Sequence, residues 1–143
     1  VAQEETGIWR VDGADPTGDS RRLVDRVGEG RLVADVEGLT LYTEGDSGYL
    51  IASVQGDNRY AVYERGGANA YLGSFEIAAS PDGAADAVAG TDGIDVVSAP
   101  LGADLPLGLF VAQDDENTAP DALQNFKLVS WAEVATALKL GGR

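Results

Sequence analysis

Residues 36–77 read VEGLTLYTEGDSGYLIASVQGDNRYAVYERGGANAYLGSFEI. Within this stretch, short runs rich in β-branched and aromatic residues are separated by turns rich in Gly, Asn and Asp, which is typical of strands joined by tight hairpins. The third run, RYAVYE, is interpreted as an alternation of polar and apolar positions. We predict four strands, at Val36–Thr43, Tyr49–Gln55, Arg59–Glu64 and Tyr71–Ile77. The stretch therefore predicts a four-stranded antiparallel meander.

Two short motifs recur on either side of this meander. One closes an apolar strand with a glutamine and opens a turn, and it is found at Gln3-Glu4-Glu5, Gln55-Gly56-Asp57 and Gln113-Asp114-Asp115. The other is Glu37-Gly38-Leu39-Thr40-Leu41, which is similar to Asp92-Gly93-Ile94-Asp95-Val96. Both recur about every 50 to 60 residues, and a period of that length holding four strands indicates the blade of a β-propeller. A plain β-sandwich is the alternative.

The chain of 143 residues is therefore predicted to be all-β and to form about three blades of a propeller, one complete and two partial. We assign the end of one blade to residues 1–30, a complete blade to residues 31–77, and the last blade with a short C-terminal helix to residues 78–143. Since known propellers have roughly 4 to 8 blades, three cannot close a ring. We expect the remaining blades, or a second copy of the chain, to complete it.

Further elements are predicted in the two partial blades. A long connector is expected over Ala78–Thr91 and a long polar loop over Asp114–Gln124. The helix prediction rests on Ser130 and Glu133, which have the spacing of a capping box, and a frayed terminus is the alternative. The additional strands are predicted at Ile8–Val11, Arg22–Val27, Gly108–Gln113 and Phe126–Trp131.

Composition excludes several kinds of chemistry. The chain has no His and no Cys, so Ser-His-Asp triads, cysteine nucleophiles, disulfides and zinc sites built on imidazole or thiolate are excluded. Its net charge of −14 repels phosphate backbones, which makes nucleic acid a poor partner unless metal ions intervene. No apolar stretch approaches the ~18 residues of a membrane helix, so we expect no membrane insertion. Chemistry based on oxygen ligands remains.

The blade geometry predicts that acidic and amide side chains converge on one face. Neighbouring strands of a blade are antiparallel, so the start of the first strand lies beside the end of the second. Asp35 and Glu37 are therefore expected near Gln55, with Glu4 in the equivalent position of the first blade. In the last blade the same reasoning groups Asp86, Asp92, Asp114, Glu116 and Asn117.

Such a face suits a calcium site. Clustered carboxylates raise one another's pKa values unless a cation lies among them. Carboxylate and amide oxygens without imidazole or thiolate form a hard donor set, which fits Ca²⁺, with its 6–8 oxygen ligands, better than Zn²⁺. The alternative is a solvated acidic face that keeps the protein soluble.

At these residues the chain resembles the calcium-dependent β-propeller phytases. The resemblance spans nearly the whole chain, but it covers only the C-terminal part of such an enzyme, under half of a six-bladed ring. It rests on Asp35–Thr40 (DVEGLT), Gly48–Ser53 (GYLIAS) with Gln55-Gly56, Tyr60–Arg65 (YAVYER), Thr91–Val96 (TDGIDV), Gly108–Asp114 (GLFVAQD) with Glu116-Asn117, and Asn125–Lys127 (NFK).

The resemblance implies a phosphomonoester hydrolase that acts on myo-inositol hexakisphosphate (phytate). In such an enzyme several bound Ca²⁺ ions offset the substrate's charge, and a metal-activated water attacks phosphorus and releases orthophosphate. The matching positions imply that Asp35, Glu37 and Gln55 belong to the catalytic calcium cluster, with Glu4 beside it. Calcium ligands of the last blade are implied at Asp86, Asp114, Glu116 and Asn117. The resemblance also implies a secreted or periplasmic protein.

The basic residues depart from the pattern that the resemblance implies. The Lys and Arg side chains that hold phosphate in that family lie in blades outside this chain. Neither Lys127 nor Lys139 is expected on the acidic face, and Arg59 is interpreted as a surface residue at the start of a strand. A non-catalytic calcium-binding propeller segment is therefore the alternative function, and a propeller hydrolase of another type, such as a calcium lactonase, is a third.

Overall fold

Ten strands, one α-helix and one short 3-10 helix (Gln55–Asp57) are found in the part of the chain that the computed structural model describes, residues 1–15, 17–118 and 122–141. Within those residues, no helix combines the length and the apolar character that crossing a bilayer requires. In chain order the elements are β1 (Ala2–Gln3), β2 (Gly7–Arg10), β3 (Arg22–Arg26), β4 (Val36–Glu44), β5 (Ser47–Val54), β6 (Arg59–Glu64), β7 (Tyr71–Phe75), β8 (Ile94–Val97), β9 (Leu109–Asp114), β10 (Asn125–Ser130) and α1 (Trp131–Ala137).

The strands form three antiparallel sheets, and each sheet is a meander of consecutive strands. The first contains β1, β2 and β3, the middle one β4 to β7, and the third β8, β9 and β10. The all-β prediction and the four-stranded meander are confirmed. Asp114 is the last residue of β9 rather than the first of a loop, and residues 119–121 of the predicted loop lie outside the described part of the chain.

The first strand of the middle sheet lies beside both neighbouring sheets, since β4 contacts β1 and β8. The hydroxyl of Thr40 donates to Oδ1 of Asp95 at 2.9 Å. Gly38 allows this close approach, because a Cβ at that position would lie 2.5 Å from the carbonyl oxygen of Asp92. The second motif pair of the sequence, residues 37–41 and 92–96, is thus brought into contact.

The middle sheet is buried on both faces. One face packs on the third sheet through residues such as Ile51, Tyr60 and Val62. The other packs on the first sheet through residues such as Ala52 and Tyr63. The interpretation of β6 as polar and apolar in alternation is wrong, because its residues 60 to 63 are all buried. A strand covered by sheets on both sides has no face exposed to solvent, so its sequence need not alternate polar and apolar residues.

The C-terminal helix is present, but the predicted capping box does not form. Ser130 occupies the N-cap position without a side-chain capping hydrogen bond. The helix is held by packing instead, since Trp131 is 1% exposed and stacks on Tyr42 with ring centroids 4.5 Å apart. Val134 lies in the same core. Burial of an aromatic residue contributes more than a cap, so the helix forms without it.

Candidate functional site

Three chain segments bring Glu4, Asp35 and Gln55 together. The amide of Val36 donates to the carbonyl oxygen of Glu4 at 3.3 Å, and the amide of Gln55 donates to the carbonyl oxygen of Asp35 at 2.9 Å. The turn after β1, the start of β4 and the end of β5 therefore meet through their backbones. Gly56 is required here, because a Cβ at that position would lie 1.7 Å from the carbonyl oxygen of Ala34.

Asp92 reaches the same place from the connector before β8. The side-chain amide of Gln55 donates to Oδ1 of Asp92 and, at 3.4 Å, to the carbonyl oxygen of Gly90. The amide of Asp92 donates to Oε1 of Gln113 at 2.8 Å. Two glutamines of the recurring motif therefore hold Asp92: Gln55 at the end of the middle sheet and Gln113 on β9 of the third sheet. We call Glu4, Asp35, Glu37, Gln55 and Asp92 the Glu37 cluster.

The electrostatics of Glu37 show that the carboxylates of this cluster repel one another. The pKa of Glu37 is raised, first by partial burial and then by the negative charges of Glu4, Asp92 and Asp35. Among the described residues, none of these four carboxylates forms an ion pair with a basic side chain. The cluster is thus a concentration of negative charge that a bound cation would relieve.

The Glu37 cluster fits calcium by the chemistry of its donors, which are oxygens of carboxylates and one amide. It is not a preformed cage, since within residues 1–15, 17–118 and 122–141 no three acidic side chains converge closely enough to hold a metal ion. A cation would have to draw the side chains inward.

A second acidic group is organised around Lys127, which lies on β10. The ammonium nitrogen of Lys127 is 2.7 Å from Oδ1 of Asp86 and 2.6 Å from Oδ2 of Asp114. It also donates to Oδ1 of Asn117 at 3.0 Å and to Oδ1 of Asn125 at 2.8 Å. We call these five residues the Lys127 cluster. The expectation that Lys127 lies away from the acidic groups is therefore wrong.

The charges in the Lys127 cluster are matched by hydrogen bonds. Burial disfavours the ammonium, but the hydrogen bonds to Asp114 and Asp86 outweigh it, and the pKa of Lys127 is raised. The hydrogen bond from Lys127, followed by those from the backbone and hydroxyl of Thr118, lowers the pKa of Asp86. Asp114 is fully buried and accepts a hydrogen bond from the amide of Ala89 at 3.0 Å.

The structure divides the predicted site residues into two groups. Glu4, Asp35, Glu37 and Gln55 converge as expected. Asp92 joins them rather than the acids of the last blade, and Glu116 is exposed beyond β9. The remaining predicted ligands, Asp86, Asp114 and Asn117, surround Lys127. They have a protein cation among them, and the ammonium of Lys127 occupies the position between their oxygens that a calcium ion would need.

The alternation along β10 was the signal that could have revealed Lys127. Lys127 lies between two exposed apolar residues, Phe126 and Leu128, so it must face the opposite side of the strand. That side is the core side, because Lys127 pairs with the buried Ala112 of β9. Arg59 matches its interpretation, since it is half-exposed and paired with Asp57 at 3.3 Å.

Two comparisons relate these residues to known proteins. A family model described as Phytase matches residues 1–141. A curated relative, the 3-phytase of Bacillus subtilis (strain 168), is 47% identical over 144 residues. The match covers 96% of this chain and 36% of the relative, so the chain spans about a third of that protein's length. Both clusters lie inside the matched residues.

Proposed function

Because this chain belongs to the phytase family, we propose that its protein hydrolyses phosphate monoesters of phytate and releases orthophosphate. The Glu37 cluster is the observation that carries the proposal. It gathers four carboxylates where segments of all three sheets meet, and within the described residues it holds no neutralising basic side chain. Such a concentration of unpaired charge costs stability and is found where a site serves a function.

Calcium is the cofactor that this proposal requires. Phytate is an anion, and the chain carries a net charge of −14, so the two repel unless cations lie between them. We assign calcium to Glu4, Asp35, Glu37, Gln55 and Asp92. Bound there, it would supply positive charge against the substrate's phosphates and make a bound water more acidic. Gln55 fixes the position of Asp92 through its amide, and Glu37 supplies charge that the cation relieves.

We propose further that the three sheets are successive blades of a six-bladed propeller, with residues 1–30, 31–77 and 78–143 in successive blades. The support is the packing of sheets side by side through their first strands. The third sheet has one covered face and one open face, and on the open face Val97, Phe126 and Leu128 are 43%, 68% and 66% exposed. An apolar face of this kind favours the docking of another sheet.

A non-catalytic calcium-binding segment is the second candidate for the isolated chain. In the described residues no lysine or arginine forms an ion pair with the carboxylates of the Glu37 cluster. The chain also covers only 36% of the curated relative. Calcium binding needs the Glu37 cluster alone, whereas catalysis also needs groups that hold the substrate.

The experiment that tests the proposal is phosphate release from calcium phytate, measured near neutral pH with and without a chelator. The purified chain, its Glu37→Gln variant and a control with the same charge change, Glu76→Gln, are compared. Chelator-sensitive release that is lost only in Glu37→Gln supports a phytase with the Glu37 cluster at its centre. Calcium binding without release favours the second candidate, and neither binding nor release contradicts both.

A further inference from the structure

We infer that the ammonium group of Lys127, and not a calcium ion, is the cation that neutralises Asp86 and Asp114, and that it fixes the connector before β8 to the third sheet. This contradicts the calcium ligands that the family resemblance implies for the last blade. The inference is independent of the reaction proposed above. It concerns which residues of this chain remain available to metal.

The hydrogen bonds of Lys127 leave no place for a metal ion. An ammonium group has three donors, and four oxygens lie between 2.6 and 3.0 Å from that of Lys127. Its side chain is only 12% exposed. A calcium ion binding the same four oxygens at 2.3–2.6 Å would have to displace the ammonium, since both cations would need the same position between those oxygens.

Both carboxylates also accept hydrogen bonds from the protein on each of their oxygens. The two oxygens of Asp114 accept from Lys127 and from the amide of Ala89. The two oxygens of Asp86 accept from Lys127 and from Thr118, whose amide and hydroxyl lie at 2.7 and 2.8 Å. Each oxygen thus has a donor before any metal arrives. The Glu37 cluster offers the opposite case, since its carboxylates lack a basic partner among the described residues.

This arrangement makes Lys127 a positioning residue for the Glu37 cluster. Asp86 and Ala89 belong to the connector, and Lys127 and Asp114 belong to the third sheet. The amide of Asp115 adds a hydrogen bond to the carbonyl oxygen of Ala89 at 3.0 Å. The connector then continues through Thr91 to Asp92. A fixed ammonium therefore holds the chain segment that delivers Asp92, without touching a ligand itself.

Amine labelling of the purified chain tests this inference, because the chain contains only two lysines, Lys127 and Lys139. Acetylation at each is followed by peptide mass spectrometry, in chelator and in millimolar calcium. We expect Lys127 to react at least about tenfold more slowly than the exposed Lys139, because its ammonium must first leave charged hydrogen-bond partners. The rate should be the same in chelator and in calcium. Equal rates in chelator, or faster labelling of Lys127 when calcium is added, would overturn the inference.

A variant provides a second, independent readout. Asp86→Asn should lower the melting temperature equally in chelator and in calcium and leave the calcium stoichiometry unchanged by calorimetry. Asp104→Asn, at an exposed residue of the loop between β8 and β9, is the matched control for the loss of charge and should change neither quantity. If Asp86→Asn lowers the melting temperature only in calcium, or binds one calcium ion fewer than the original chain, the inference is contradicted.

Discussion

The buried hydroxyl groups of Tyr60 and Thr91 lie 2.7 Å apart, with either one able to donate the hydrogen bond. Tyr60 is on β6 of the middle sheet, and Thr91 is the residue before Asp92. The hydroxyl of Ser53 donates to the carbonyl oxygen of Thr91 at 2.8 Å. Because Thr91 is 2% exposed, these contacts have no solvent alternative. They fix the point at which Asp92 enters the Glu37 cluster.

The first prediction is that Tyr60→Phe lowers the free energy of unfolding at pH 8 by about 1 kcal/mol, because it leaves the Thr91 hydroxyl without its buried partner. Burial raises the pKa of Tyr60 to about 12 from 10.0, partly offset by the hydrogen bond of Thr91. Between these values the unfolded chain loses the Tyr60 proton and the folded chain keeps it, so stability falls as the pH rises.

Urea unfolding at pH 8 and pH 11 checks this prediction. The difference between the original chain and Tyr60→Phe should be smaller at pH 11, since the variant has no tyrosine to ionise at position 60. Tyr71→Phe is the control, because Tyr71 is only half-buried. A difference that grows with pH would contradict the assigned sign.

The second prediction concerns repulsion within the Glu37 cluster. In chelator, Glu37→Gln should raise the melting temperature by roughly 2 °C, because it removes one of four neighbouring negative charges. Calcium should stabilise the original chain, as any ligand that binds only the folded state does, and it should stabilise Glu37→Gln less. Differential scanning calorimetry in both conditions gives the two values.

Glu76→Gln is the control for this pair of measurements, since Glu76 is exposed and outside the cluster. It should leave the calcium effect unchanged. If Glu37→Gln is destabilising in chelator and keeps the full calcium effect, the cluster does not bind the metal.

The third prediction follows from the contact between the turn at Gly56 and the start of β4. Gly56→Ala should lower the free energy of unfolding by about 1 to 3 kcal/mol, because the added Cβ would lie 1.7 Å from the carbonyl oxygen of Ala34. It should also weaken calcium binding, since the shift separates Asp35 from Gln55. Gly66→Ala is the matched control, because an added Cβ there meets nothing within 4 Å. Similar losses in both variants would contradict the packing argument.

The fourth prediction concerns the open face of the third sheet. The double variant Phe126→Ser, Leu128→Ser should reduce self-association of the purified chain at high concentration, because it removes the two most exposed side chains of that face. Light scattering coupled to size exclusion gives the mass. Leu101→Ser, which alters an exposed leucine in a loop, should leave the mass unchanged. The same mass for all three proteins would indicate that this face does not dock another sheet.

The strands could be predicted because their signals are local. The turns between β4 and β7 contain the Gly and Asn residues that tight turns require, and β6 was predicted with the observed bounds, Arg59–Glu64. The burial of β6 on both faces could not be predicted, because it depends on the two sheets that cover it. The missing cap at Ser130 has the same origin, since packing of Trp131 replaces it.

The candidate site was predicted in part. The recurring glutamine motif marks strand ends, and antiparallel pairing then brings Asp35 and Glu37 to Gln55, as the structure has it. Asp92 was grouped with the acids near Asp114, because strand pairing within one sheet says nothing about contacts between sheets, and its side chain instead contacts Gln55 of the middle sheet. The side-chain amide of Gln55, at the end of the middle sheet, donates to Asp92, which precedes the third sheet. This hydrogen bond depends on the packing of β4 against β8.

The all-β class, the meander and the grouping of Glu4, Asp35 and Glu37 could be predicted from the sequence, since each depends on hydrophobic pattern, turn chemistry and pairing of neighbouring strands. The placement of Asp92, and which acids have a protein cation, depend on how the sheets pack in the folded chain. Lys127 is 41 residues from Asp86 in the sequence, and no local pattern joins them. The buried carboxylate of Asp114 requires a partner and has Lys127 at 2.6 Å, and the folded connector brings Asp86 to 2.7 Å from the same ammonium.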